Sequence, residues 1–66
     1  MKGFIEVRAV NTTDSALVNV NRIIFVTPCK TKYGDGAEIV CIERAVVRTM
    51  ETYSEVKKRI ANALRE

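Results

Sequence analysis

The 66-residue sequence has no histidine, no tryptophan and a single proline, and its only aromatic residues are two phenylalanines and two tyrosines. Without histidine, a structural zinc site in this chain would have to be completed by carboxylates, which are poor ligands for that purpose. A cysteine nucleophile would lack its usual imidazole base. So few aromatic residues also make a poor stacking platform for bases. We therefore expect no metal, no cofactor and no enzymatic activity.

Long hydrophobic runs are missing as well. No apolar stretch approaches the roughly 18–20 residues that a membrane span requires. The N-terminal sequence reaches the carboxylate of Glu6 before an apolar region typical of a signal peptide can form. The sequence thus predicts a cytoplasmic protein that does not enter a membrane.

The chain is short for a folded protein. Its length predicts one domain, residues 1–66, and excludes the βα-barrel and dinucleotide-binding folds, which need several times as many residues. With 47% hydrophobic residues and a net charge of only +3, the chain is not expected to be disordered. A chain of about 60 residues buries only about 60% of its unfolded surface. A core this small usually needs a disulfide, a metal or a partner subunit.

Alternating and β-branched segments predict four or five antiparallel strands, at 4–10, 16–20, 23–27, 37–43 and 45–50. Polar residues at 11–15 and the Tyr-Gly-Asp-Gly segment at 33–36 predict turns, and the asparagines of 19–22 predict a bend or a single helical turn. The strand at 23–27 is apolar throughout, so we expect both of its faces to be buried. Either it lies centrally in the sheet or one of its faces meets another subunit, and we expect Phe25 in the core.

The C-terminal segment carries the clearest pattern of the chain. Thr52 and Glu55 form a capping box, and the apolar residues behind it recur at helical spacing. This stripe consists of Tyr53, Val56, Ile60, Ala63 and Leu64. The sequence therefore predicts an α+β fold, in which a small curved antiparallel sheet of four to five strands is covered by one amphipathic helix over Tyr53–Arg65.

The two cysteines, Cys29 and Cys41, lie in apolar or β-branched segments. One interpretation is that both are free and act as small, partly buried hydrophobic residues. The other is a disulfide: if the turn were centred on Asp35, the two cysteines would face each other across the hairpin, close to bonding distance.

Self-association is the function that the composition favours most. The strand at 23–27 has more apolar side chains than the chain can cover, and Leu17 adds to them. We expect a non-catalytic binding or adaptor module that acts as a homodimer or through another protein. Leu17, Ile24 and Val26 are the candidate interface or core anchors.

Nucleic-acid binding by a regulatory protein is the alternative. The chain has 11 Lys and Arg against 8 Asp and Glu. A basic helix and strand arginines would contact the phosphates. The candidate contacts are Arg44, Arg48, Lys57, Lys58 and Arg59.

Two segments, LVNVNRII at 17–24 and ETYSEV at 51–56, carry a resemblance to a known family. In the first segment, an apolar strand runs through asparagine into an Ile-rich strand. In the second, a strand that ends in Glu-Thr enters a helix with Glu-Val. Both features resemble those of short flagellar-operon proteins of the FlbD type. Short uncharacterised bacterial proteins, some of them from Bacteroides-like genomes, are similar too. The resemblance implies a β-rich domain with a C-terminal helix and no catalytic site.

Overall fold

The computed structural model of the chain describes residues 3–10 and 15–65. Five strands and one helix follow one another: β1 Phe4–Arg8, β2 Ser15–Asn19, β3 Ile23–Thr31, β4 Gly34–Cys41, β5 Val46–Thr49 and α1 Tyr53–Arg65. Two 3₁₀ turns, Val20–Arg22 and Ile42–Arg44, separate β2 from β3 and β4 from β5. The predicted α+β class is confirmed, whereas residues 11–14 of the predicted turn at 11–15 lie outside the described residues and Ser15 begins β2.

The strands form two antiparallel sheets rather than one. β1 pairs with β2, and β3, β4 and β5 form a three-stranded sheet in that order. Backbone hydrogen bonds join the two sheets at the end of β1, where Ala9 bridges to Thr49 and the Val10 amide donates to the Arg48 carbonyl at 2.9 Å. The predicted helical turn after β2 is confirmed, since the Asn19 side chain accepts from the Asn21 amide at the start of the first 3₁₀ turn. That turn separates β2 from β3 in the chain.

The core lies between the two sheets and the helix and is built from small and medium-sized side chains. No aromatic side chain of residues 3–10 and 15–65 is buried. On the three-stranded sheet, Val26, Ile39 and Val47 are paired in one row, and all three point into the core or pack against it. The buried apolar residues are Ile5, Val7, Val18, Val20, Ala37, Ile39, Cys41, Val56 and Ala63.

Helix α1 begins where the capping box predicts. The Thr52 amide donates to Glu55 Oε1 at 3.1 Å, and the Glu55 amide donates to Thr52 Oγ1 at 3.3 Å. Val56 and Ala63 are buried against the sheets. The helix and its packing on the sheets are confirmed, although Leu64 at the end of the predicted stripe remains 64% exposed.

A polar cluster ties α1 to the edge of β1. The Arg59 Nη1 atom donates to the Glu6 carbonyl at 2.5 Å and lies 2.9 Å from Glu51 Oε1. The buried Thr49 hydroxyl accepts from the Glu51 amide at 3.2 Å. The cluster therefore joins β1, β5 and α1. Within it, Arg59 occupies the Glu6 carbonyl, a backbone acceptor that β2 does not use.

The β3–β4 hairpin turns earlier than the sequence predicts. Thr31 pairs with Gly34, so the predicted hairpin between these strands is confirmed, but the chain reverses at Lys32 and Tyr33 and a turn centred on Asp35 is wrong. Gly34 has a φ of 113°, which favours glycine. Gly36 instead lies inside β4, where an added Cβ would be 2.3 Å from the Thr49 carbonyl oxygen. The glycine at 36 is therefore needed for a close approach of two strands and not for the turn.

Candidate interaction surface

The three-stranded sheet has an outer face with one apolar row and one polar row, which we define by Phe25, Val40, Val46, Glu38 and Arg48. Phe25 pairs with Val40, and Val40 pairs with Val46, so the three side chains form one row across the sheet. Successive side chains of a strand point to opposite faces of the sheet. Since the neighbouring row of Val26, Ile39 and Val47 faces the core, the row of Phe25, Val40 and Val46 points away from the core. Phe25 is 50% exposed and Val46 is 52% exposed. The outer face thus offers a row of apolar side chains to solvent.

A bulge near the start of β3 adds Ile24 to this surface. Ile23 pairs with Cys41 and Phe25 with Val40, which leaves Ile24 as an extra residue. Ile23 packs against the core, while Ile24 is 60% exposed. The expectations that β3 lies centrally and that Phe25 lies in the core are therefore wrong, because β3 is an edge strand and Phe25 is half exposed, whereas burial of one face by another subunit stays a prediction. A continuous apolar run does not show where a bulge will change the face.

The second row of the outer face is polar. Glu38 pairs with Arg48 in the sheet, and the Arg48 Nε atom donates to Glu38 Oε2 at 3.0 Å. Thr27 completes this row on β3. The outer face therefore carries one acid and one base side by side, next to its apolar row.

The free edge of β3 is irregular. The Cys41 amide donates to the Ala45 carbonyl on the β5 side. Since backbone groups alternate along a strand, Glu38 and Val40 direct theirs toward β3, and the backbone groups of Val26, Pro28 and Lys30 point to the free edge. Pro28 has no amide hydrogen to donate there, which is the position that proline takes in sheets. Pro28 therefore occupies an unpaired edge position of β3.

The three predicted interface anchors occupy different places. Ile24 lies at the outer face, while Val26 is half-buried and packs against the core. Leu17 is 54% exposed on β2 and lines a groove of about 340 Å³ between the two sheets. Ile42 and Glu43 of the second 3₁₀ turn line the same groove, and both Glu43 and Arg44 have positive φ angles, 63° and 64°.

Sequence reasoning missed Phe25 and Val46, although the alternation in Val46–Thr49 is a signal for the outward direction of Val46.

The predicted phosphate contacts do not form one surface. Arg48 lies on the outer face and is paired with Glu38, whereas α1 packs against the core on the other side of the sheet. Arg59 is engaged by the Glu6 carbonyl and by Glu51. The remaining candidates, Arg44, Lys57 and Lys58, are exposed.

A second groove, of about 410 Å³, lies between the β3–β4 hairpin and the start of α1, and Cys29, Lys30, Asp35 and Tyr53 are among its lining residues. The hydrogen bond to Asp35, 2.5 Å long, and the charge of that carboxylate raise the pKa of Lys30. Nearby, hydrogen bonds from the amide and hydroxyl of Thr52 lower the pKa of Glu55. Both shifts arise from local partners that stabilise the hairpin and the helix start.

The cysteines do not face each other. Cys29 pairs with Gly36, and Cys41 pairs with Ile23. The hairpin therefore does not have the register that would bring the two cysteines opposite each other, and the predicted disulfide contact is wrong. Both cysteines are free: Cys29 is half-buried beside the second groove, and Cys41 is buried in the core. Among residues 3–10 and 15–65, no three His, Cys, Asp or Glu side chains are grouped as a metal site requires.

No helix in the described part of the chain is long and apolar enough to cross a membrane. No protein-family model, curated protein or solved structure matches the sequence or the fold. The resemblance to the FlbD-type proteins therefore stays a prediction, and the site is interpreted from its own geometry.

Proposed function

We propose that this protein is a non-catalytic binding or adaptor module that acts through self-association. The observation that carries the proposal is the exposure of its large apolar side chains. Ile24, Phe25 and Val46, which lie together on the outer face of the three-stranded sheet, are 60%, 50% and 52% exposed. Single exposed apolar residues are common, but an adjacent group of them is typical of an interaction surface.

The composition of the core supports the same proposal. The buried apolar side chains are valines, isoleucines, alanines and one cysteine, while Phe25, Tyr33 and Tyr53 are at least 38% exposed. A small domain gains most of its stability by burying its largest apolar side chains. A second copy of the chain, or a protein partner, would remove from water the surface that the domain itself leaves open. We place this function in the cytoplasm, because free thiols are typical of a reducing compartment.

Sedimentation equilibrium tests the proposal directly. We expect the mean mass to rise from one chain toward two as the concentration rises from about 1 μM to about 1 mM, the range in which modest interfaces dissociate. The same titration in high salt is the control, since an apolar contact is not weakened by screening. A single-chain mass at the highest concentration would refute self-association.

Nucleic-acid binding is the second candidate. Its support is the exposed pair Lys57 and Lys58 on α1, neither of which forms an ion pair with another described residue. If these lysines neutralise phosphates, the affinity for mixed oligonucleotides should fall as salt rises. The double variant Lys57→Ala/Lys58→Ala should weaken the binding and reduce its salt dependence. Absence of binding at low salt would exclude this function.

A further inference from the structure

We propose that the second copy docks face to face on the outer face of the three-stranded sheet, and not by adding a strand at the free edge of β3. This inference rests on the proposed self-association and specifies its geometry. Its occupant is another copy of this chain, related by a two-fold axis.

The size of the apolar surface supports this geometry. Ile24, Phe25 and Val46 are each at least half exposed, and Val40 lies between the last two in the same row. If a large apolar side chain has about 200 Å² of surface, these three expose on the order of 300 Å² per protomer. A stable interface buries about 800 Å² on each side, of which the centre is apolar and the rim polar. The apolar row thus has a suitable size for the centre of a weak dimer.

The charges of the outer face fit a second copy of the same face. Glu38 and Arg48 lie side by side next to the apolar row, joined by an ion pair of 3.0 Å. Arg48 is 64% exposed and Glu38 is 27% exposed in this pair, so both retain surface for a further contact. A two-fold rotation can place the acid of one copy against the base of the other, so that the rim is self-complementary.

The free edge of β3 carries the features that oppose strand addition. A bulge interrupts its start at Ile24, Pro28 removes a donor in its middle, and Lys30 adds a charge near its end. Bulges, prolines and edge lysines are the devices by which sheets avoid pairing edge to edge. Only a short segment around Val26 would remain for regular pairing, so the face is the better surface for a second copy.

Val46 distinguishes the two geometries because it lies on β5, two strands away from the free edge. Adjacent strands are about 4.8 Å apart, which places Val46 about 10 Å from the β3 backbone. A charge at Val46 would be buried in a face-to-face dimer but would not reach an edge-to-edge one. Leu17, which is about equally exposed but lies on β2, provides the matched control.

The experiment compares the dimer dissociation constants of the wild type, Val46→Glu and Leu17→Glu by sedimentation equilibrium. We expect Val46→Glu to raise the dissociation constant by more than about tenfold, because its carboxylate would be desolvated among apolar side chains, and Leu17→Glu to change it less than about threefold. An unchanged dimer in Val46→Glu, or a larger effect of Leu17→Glu, would overturn the face-to-face geometry while leaving self-association intact. A monomeric wild type would instead refute the proposed function.

Folding of the variants is checked by circular dichroism and urea unfolding. Both side chains are about half exposed in the monomer, so a charge at either position can remain in water. Should Val46→Glu fail to fold, Val46→Thr keeps the β-branched shape while replacing a methyl group by a hydroxyl. We expect Val46→Thr to raise the dissociation constant about threefold, and no change in this variant counts against the inference.

Discussion

Gly36→Ala tests whether two strands of this fold are held in close contact. An added Cβ would lie 2.3 Å from the Thr49 carbonyl oxygen and 2.8 Å from the Thr31 Cγ2 atom. The oxygen belongs to the backbone of a fully buried residue, so the strands themselves must move. Overpacking of this kind costs about 3 kcal/mol, and a chain of this size has a free energy of unfolding of only about 3 to 10 kcal/mol. We expect the melting temperature to fall by about 12–24 °C.

Urea unfolding of Gly36→Ala and Gly34→Ala at one low protein concentration measures this cost. Gly34 is the control because its φ of 113° strains an alanine, yet no atom lies within 4 Å of the added Cβ. Backbone strain alone should cost about 1 kcal/mol. Thr31→Ser in the Gly36→Ala background should recover only part of the loss, because the contact with the Thr49 oxygen remains. The reasoning is refuted if Gly36→Ala loses less free energy than Gly34→Ala.

Three further predictions concern the helix, its contact with β1 and the thiols. Because hydrogen bonds from Thr52 lower the pKa of Glu55, the capping box should stabilise the fold fully at pH values above 4.5, the ordinary pKa of a glutamate. This stabilisation should be lost as the pH falls through the lower pKa that Glu55 has in the folded state. Glu55→Gln should therefore show a smaller fall of the urea midpoint between about pH 5 and pH 3, and an identical fall would contradict the assignment. Arg59→Ala should lower the free energy of unfolding by about 1 kcal/mol, with Arg59→Lys in between; equal stability of all three proteins would show that the contact contributes nothing. In the native protein, iodoacetamide should modify the half-buried Cys29 before the buried Cys41, as read by peptide mass spectrometry, and equal rates would contradict their burial.

The helix was predictable from the sequence because its signals are local. Thr52 and Glu55 are three residues apart, and the apolar stripe behind them repeats with the period of one element. The 3₁₀ turn at Val20–Arg22 follows from asparagines within the same few residues. Such signals need no knowledge of the rest of the fold.

The register of the β3–β4 hairpin and the direction of Phe25 were not predictable in this way. Gly-Asp-Gly is a strong turn signal, but Gly36 is required by Thr49, which is 13 positions later in the chain. The chain turns instead at Lys32 and Tyr33, where the Thr31 hydroxyl accepts from the Tyr33 amide and donates to the Gly34 carbonyl. A register error of this size misplaces every cross-strand pair, including the cysteines.

The contact between Arg59 and the Glu6 carbonyl has a consequence for the time course of biosynthesis. The two residues are 53 positions apart, so the strand is made long before the guanidinium that occupies its acceptor. At about 5–20 residues per second, Arg59 is synthesised about 3 to 10 s after Glu6. Until α1 docks, the Glu6 carbonyl is an open acceptor on a strand edge of the kind that pairs with other strands, and the docked Arg59 closes it.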